Sequence, residues 1–328
     1  MLGEGGAMQN RRIGKFEVST IGLGCMPLSG MPPSRTHMLD KRDQAIATIH
    51  TALDAGITFL DTADIYSPTW NSMGHNEILV AEALRSWSGS DAAKKSVVVA
   101  TKAGITRAPG ADWFGISGRN ASEHYLYRAV EASAGRLGTS KIQLWQHHRL
   151  DPSFTFEDQF SNVMKLKDHG YVESIGLSNV NLSQLNRAVK IGGTPEEGGI
   201  VSVQNEYSPR YRRGEDVRQR CEELGIAFLP WSPLGGIDNG EKLAAGNYGK
   251  FDQVAKKHNI SVYALTIAWH LTTSRVTIPI PGATRRESIL DTIRGSEITL
   301  TSDDLQDIQD SLPALADIHP ELIDVSEL

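Results

Sequence analysis

The sequence runs to 328 residues, 40% hydrophobic and 22% charged, with a formal net charge of −6. Its densest basic spots are the pairs Arg11-Arg12, Arg212-Arg213 and Arg285-Arg286, too sparse for nucleic acid, whose phosphate backbone demands a concentrated basic surface. No apolar stretch of about 18 residues offers a membrane span. The cysteines Cys25 and Cys221 give neither a disulfide framework nor metal-ligand spacing, and the histidines form no metal site, so a reducing compartment, the cytoplasm, is expected.

Residues 1–10 read as a disordered tail without a signal-peptide core, and 11–328 as one domain. Residues 11–23 alternate around Gly14 as a hairpin able to close the bottom of a barrel. Strand-like apolar runs then fall at 21–24, 57–60, 97–101, 142–146, 173–177, 201–205, 226–230 and 276–280. Helical periodicity falls at 41–55, 76–87, 122–137, 155–168, 181–191, 215–224, 248–258 and 286–294, with further helices at 261–272 and 302–311. Strands alternating with helices in this way predict a (β/α)8 TIM barrel of the α/β class with extra C-terminal helices. Asn120 with Glu123, and Thr284 with Glu287, have capping-box spacing. Gly138 and Gly170 stand where helices should stop. Loops at 67–75, 103–119 and 232–247 lie after strands, where barrel enzymes put specificity.

Four polar residues stand at or just past strand ends: Asp61, Tyr66, Lys102 and His148. Gathered around one pocket, they suit protonation of an oxygen while something else delivers to its carbon. A tyrosine near pKa 10 needs a neighbouring charge to act efficiently near neutrality, and Lys102 would lower it. Asp61 would hold Lys102 charged, and His148 would orient a carbonyl oxygen. No side chain supplies a hydride, so a cofactor is required. Gly22-Leu23-Gly24 does not continue as a dinucleotide-binding glycine motif, which removes a Rossmann site.

The run Gly56-Ile57-Thr58-Phe59-Leu60-Asp61-Thr62-Ala63-Asp64-Ile65-Tyr66 resembles the aldo-keto reductase signature. In order along the chain, the same family is matched by Gly22–Met26, Asn76-Glu77, Ala100-Thr101-Lys102 and Gln146-His147-His148-Arg149. Gly176–Asn179, Gln204–Tyr207, Trp231–Leu234 and Ile280–Thr284 continue the match. The resemblance spans about residues 11–311 and implies reduction of an aldehyde, ketone or sugar carbonyl, with NADP(H) expected and NAD(H) left open. It gives the tetrad the roles above, and its His-Arg pairing selects His148 over His147. It implies carboxamide contacts from Ser178, Asn179 and Gln204, a ring stacked on Trp231, and pyrophosphate contacts from Ser232 and Leu234. Gly24, Cys25, Met26, Asp61, Pro233, Gly282, Thr284, Arg285, Arg286, Ser288 and Asp291 complete the implied cofactor set, with Thr284 capping a helix that attracts the phosphate. Where well-known members carry a lysine, this chain reads Pro281-Gly282-Ala283. The expected substrate pocket comprises Met26, Tyr66, Trp70, Trp113, Phe114, His148 and Arg149. The resemblance also admits a cofactor-sensing subunit similar to potassium-channel β subunits. A phosphate-sugar barrel enzyme without redox chemistry would leave Trp231 unexplained. Oligomeric state stays open.

Overall fold

The computed structural model describes residues 8–31, 33–107, 118–236 and 249–312. Asn10–Ile13 and Phe16–Ser19 pair as the expected antiparallel hairpin, turning at Gly14 with φ 56°. The first of these strands starts inside the stretch read as tail. A Cβ on Gly14 would lie 2.5 Å from Val201 Cγ1, so the turn presses against the barrel. Ser19 N donates to Thr58 Oγ1 and Thr58 N to Ser19 Oγ, fixing the hairpin to the chain entering the next strand.

Among the described residues, seven parallel strands follow in ring order: Leu23–Gly24, Phe59–Asp61, Val98–Ala103, Ile142–His147, Val172–Ser178, Ile200–Gln204 and Ala227–Phe228. An eighth extended segment, 276–282, closes the ring. On one side Phe228 N donates to Val276 O and Ile278 N to Phe228 O; on the other, Gly22 N and Gly24 N donate to Pro279 O and Pro281 O. This segment bridges its neighbours without a continuous ladder because Pro279 and Pro281 have no N–H to donate. The expected strand there is real in position and lacks only a regular hydrogen-bond pattern.

Side chains alternate between two cores. Phe59, Val98, Ala100, Leu144, Val201, Ala227, Leu229, Ile278 and Ile280 fill the barrel with the hairpin's Ile13 and Val18 beneath them. Trp145, Val172, Ile175 and Leu177 face outwards against Phe156, Phe160 and Val163 of a surrounding helix. Continuing the inward set along each strand by two residues reaches Asp61, Lys102 and Gln146, and two more past Gln146 reach His148.

The surrounding helices are Arg42–Asp54, His75–Ser86, Asp91–Ser96, Glu123–Leu137, Phe156–Asp168, Leu182–Gly192, Glu215–Leu224, Phe251–Lys257, Val262–Thr273, Arg286–Ile293 and Ser302–Ser311. Helix Asp91–Ser96 was not expected, nor was the strand pair Ile105–Thr106 and Gly118–Arg119 inside a predicted loop. Both expected capping boxes are corrected. Ser122, not Asn120, caps Glu123–Leu137, while Asn120 Oδ1 accepts from Ser122 N and Oγ. Arg285, not Thr284, is the N-cap of Arg286–Ile293, with no side-chain cap. Gly138 ends its helix in a left-handed cap, and Gly170 follows the helix ending at Asp168 with φ 80°.

Candidate active site

The loop after Asp61 is stitched to the next strand. Thr62 N donates to Ala100 O at 2.8 Å and Asp64 N to Lys102 O at 3.1 Å. Asn76 pins its far end: its backbone N donates to Tyr66 O, and its fully buried amide donates to Cys25 O and Ser29 Oγ while accepting from Thr62 Oγ1. Behind the strand, Glu77 accepts from Thr101 Oγ1 and from Arg136 Nε, each at 2.5 Å. Tyr66, 7% exposed, packs with Met31, Ala63, Ile65 and Ile105, with Met26 against them.

Lys102 is fully buried. Its Nζ donates to Asp61 Oδ1 at 2.8 Å, Asp61 Oδ2 at 2.7 Å and Thr62 O at 2.8 Å. Asp61 Oδ1 also accepts from Gln204 Nε2 at 2.8 Å and Gln146 Nε2 at 3.4 Å. A buried ion pair is tolerated only when further hydrogen bonds complete it, and here Thr62 O, Gln204 and Gln146 do so. Burial works against the Lys102 charge, but Asp61 and Tyr66 outweigh it and hold the ammonium above its ordinary value. Lys102 Nζ lies 5.0 Å from the centroid of the Tyr66 ring. Burial raises the Tyr66 phenol overall; Lys102 pulls it down, in the expected direction, without offsetting the burial.

His148 N donates to Ala103 O, and its ring meets that of Tyr66 edge-on at 5.8 Å between centroids. Burial, then the charges of Lys102, Arg149 and Arg119, hold its imidazole well below the ordinary value, so it is neutral. Its Nδ1 is buried without a hydrogen-bond partner. His147 instead stacks with outward-facing Trp145 at 6.2 Å, and burial lowers it to about 4. The structure thus brings Asp61, Tyr66, Lys102 and His148 together and directs His147 elsewhere. Gln146, whose role the sequence reading missed, was findable: it shares the inward face with Leu144 and His148.

The expected cofactor residues line the same end of the barrel. Ser178 Oγ donates to Gln204 O at 2.8 Å. Asn179, at φ 58°, donates to His148 O and accepts from Trp231 Nε1 at 3.1 Å. Trp231 is half-buried, and the following Ser232 is also left-handed, with φ 49°. Pro233 O accepts from buried His270 Nε2 at 2.9 Å, and Leu234 packs against the cluster containing Ile289 and Ile293. Gly24 and Gly282 face each other across the closing bridge, and Cys25 is buried with its thiol on Leu23 O. Thr284 O accepts from Gln44 Nε2. Arg285 and Arg286 are exposed at the first turn of their helix. Ser288 is half-buried, whereas Asp291 accepts from Ser261 Oγ at 2.5 Å and is tied to a neighbouring helix. These residues fit an extended dinucleotide: an aromatic face, left-handed residues at Asn179 and Ser232, and a helix start without a side-chain cap, beside two guanidiniums. Trp70 is 45% exposed and Arg149 half-buried, while Trp113 and Phe114 lie outside the described residues.

A profile of the aldo/keto reductase family matches residues 20–313. A probable aldo-keto reductase of Glycine max is 32% identical over 323 residues, covering 91% of this chain and 86% of that one. An uncharacterised oxidoreductase of Schizosaccharomyces pombe is 30% identical over 299 residues, covering 89% and 86% respectively. Among solved structures, an aldo/keto reductase from Klebsiella pneumoniae in complex with NADP and acetate has TM-score 0.73 and 21% identity, covering 93% of this chain and 96% of that one. The glycerol dehydrogenase of Gluconobacter oxydans has TM-score 0.74 and 24% identity, covering 95% and 98%. At these identities the two structures establish the fold.

Proposed function

The chain belongs to the aldo/keto reductase family, and from that premise we propose that it reduces an aldehyde, ketone or sugar carbonyl to an alcohol using NADP(H). The observation that carries this reading is the convergence of a buried Lys102–Asp61 ion pair, the Tyr66 phenol and a neutral His148 on one side of the barrel. The NADP held by the Klebsiella pneumoniae protein supports the choice of cofactor.

The bound nicotinamide supplies the hydride to the carbonyl carbon. Tyr66 gives the carbonyl oxygen its proton. Burial keeps the phenol protonated through neutral pH, while the Lys102 charge lowers the cost of the phenolate left behind. Asp61, braced by Gln204 and Gln146, fixes that ammonium in place. Neutral His148 can donate one hydrogen bond to the same oxygen, orienting it as negative charge develops. Ser178, Asn179 and Gln204 would meet the carboxamide, Trp231 the nicotinamide ring, Ser232 and Leu234 the pyrophosphate, and the turn at Arg285 and Arg286 the ribose phosphate.

The test is NADPH and NADH oxidation against a panel of aldehydes, ketones and aldoses. Carbonyl-dependent oxidation, faster with NADPH, is expected. Tight NADPH binding with no turnover of any carbonyl would instead indicate a cofactor-binding module.

A further inference from the structure

The ring expected to carry the nicotinamide also makes a hydrogen bond, and that bond leads to His148. Trp231 N donates to Asn205 O at 3.0 Å and Tyr207 N to Trp231 O at 3.4 Å, with Glu206 opposite, so position 231 continues the ladder one step past Leu229 N on Val203 O. Leu229 belongs to the barrel core and Trp231 packs against that core, so both side chains stand on the inward face. The Trp231 indole Nε1 donates to Asn179 Oδ1 at 3.1 Å, and Asn179 Nδ2 donates to His148 O at 3.0 Å and to Ser178 Oγ at 2.9 Å.

Donor and acceptor chemistry leaves this amide one orientation. An indole N–H only donates and a backbone carbonyl only accepts. The amide of Asn179 is therefore set from both ends, its oxygen towards Trp231 and its nitrogen towards His148. Its backbone N–H is spent on Gln204 O at 3.0 Å, so on the His148 side the side chain takes over from the main chain. The paired register between these two strands ends at His147 and Leu177. One residue further on, His148 is held by Ala103 O at its N–H and by the Asn179 amide at its carbonyl. Asn179 reaches that carbonyl from a left-handed backbone, φ 58°, which asparagine adopts more readily than most residues. The imidazole carried by this stretch of main chain meets Tyr66 edge-on at 5.8 Å.

We propose that Trp231 is a positioning residue for His148: its indole N–H, through the Asn179 amide, fixes the main chain that carries the imidazole beside Tyr66, a duty separate from offering the cofactor an aromatic face. This rests on the reductase reading above and adds a link between the cofactor's wall and the group that orients the carbonyl.

A double-mutant cycle tests it. Trp231→Phe keeps an aromatic face and removes the N–H. Asn179→Asp keeps an oxygen for Trp231 and removes the N–H that meets His148 O. Each is made in the parent chain and in His148→Ala. Single-turnover hydride transfer from saturating NADPH to an aldehyde is measured per NADPH-binding site, so that unfolded protein is not counted. Each substitution should slow hydride transfer about 3- to 10-fold more in the parent than in His148→Ala, the worth of one hydrogen bond, because without the imidazole nothing is left to position. Any rise in Kd for NADPH should be the same in both backgrounds. Equal slowing in both backgrounds for Trp231→Phe overturns the proposal, since the ring then acts on the cofactor alone; equal slowing for Asn179→Asp overturns the route through the amide. If the parent transfers hydride to no carbonyl, the reductase reading fails and a crystal structure of Trp231→Phe decides. The His148 ring should have left its edge-on contact with Tyr66, and an unmoved ring overturns the positioning role.

Discussion

Lys102 meets three acceptors at 2.7–2.8 Å, and its larger influence on the Tyr66 phenol is that of its charge, with hydrogen bonding second. That makes the tyrosine hydroxyl separable from the framework around it. Tyr66→Phe should cut carbonyl turnover by about 10²- to 10⁴-fold, the usual worth of a positioned acid, while NADPH affinity by fluorescence titration stays within about threefold. Near-normal turnover would remove Tyr66 from the acid role. His148 and His147 make a second internal control, because the strand sends them to opposite faces. His148→Ala should lower kcat/KM for an aldehyde far more than His147→Ala, whose ring packs beside Trp145; the reverse order would contradict the geometry. Burial and neighbouring cations hold His148 well below 6.5. Its imidazole therefore has no ionisation left between pH 6.5 and 8, and kcat for a neutral aldehyde should show no histidine-like step in that window. The tetrad was legible because a carboxylate, phenol, ammonium and imidazole each followed a strand-like run. Gln146 was passed over because a strand amide carries no chemistry of its own until its partner, Asp61, is known.

At the scale of elements, helices with an apolar face and a capping side chain were readable nearly to the residue. Thr155, Asn181, Ser261 and Thr301 each accept from a first-turn N–H. Asp91–Ser96 was not readable, since six residues are too short to reveal a helical period. The helix Arg286–Ile293 was placed correctly but its cap was not: Thr284 uses its carbonyl on Gln44, and Arg285 takes the cap position in extended conformation. An N-terminus without a side-chain cap favours an anion more than the capped one the sequence implied. Arg285→Ala should therefore weaken NADPH by about 10- to 150-fold, the worth of one charge-assisted bond, and leave NADH nearly unchanged. Equal losses for both cofactors would move the phosphate elsewhere. A second element-level support comes from His270, which no motif singled out. A carbonyl only accepts, so His270 Nε2 must carry the proton that meets Pro233 O. His270→Leu would leave that carbonyl unsatisfied beneath the Trp231–Leu234 turn. We expect a rise in KM for NADPH of about tenfold with a smaller change in kcat. A loss confined to kcat would show that the histidine acts on chemistry and not on the cofactor turn.

Across the whole molecule, the barrel divides its duties between its two ends. The alternation that points Asp61 and Lys102 inwards at one end places Phe59, Val98 and Ala100 below them, and the hairpin residues Ile13 and Val18 plug the other end. Barrel closure was harder to read than strand order, because Pro279 and Pro281 accept from Gly22 and Gly24 but donate nothing. The segment looks like a broken strand until its neighbours are known. This division predicts that stability and catalysis respond separately. Ile13 is fully buried in the barrel core, and truncating a buried isoleucine to alanine typically costs about 2–5 kcal/mol through lost transfer energy and the cavity left behind. Ile13→Ala should thus lower the urea midpoint of unfolding clearly. Yet the groups that position Tyr66, Lys102 and His148 are Asn76, Asp61, Thr62 and Ala103, and among the described residues none of their hydrogen bonds runs to the hairpin turn. In the folded variant, kcat/KM should stay within about twofold of the parent chain. Unfolding curves and steady-state rates on the same preparation decide the matter. A stability loss accompanied by a proportionate loss of catalytic efficiency in still-folded protein would mean that the plug also sets the geometry of the site, and that the two ends of this barrel are coupled.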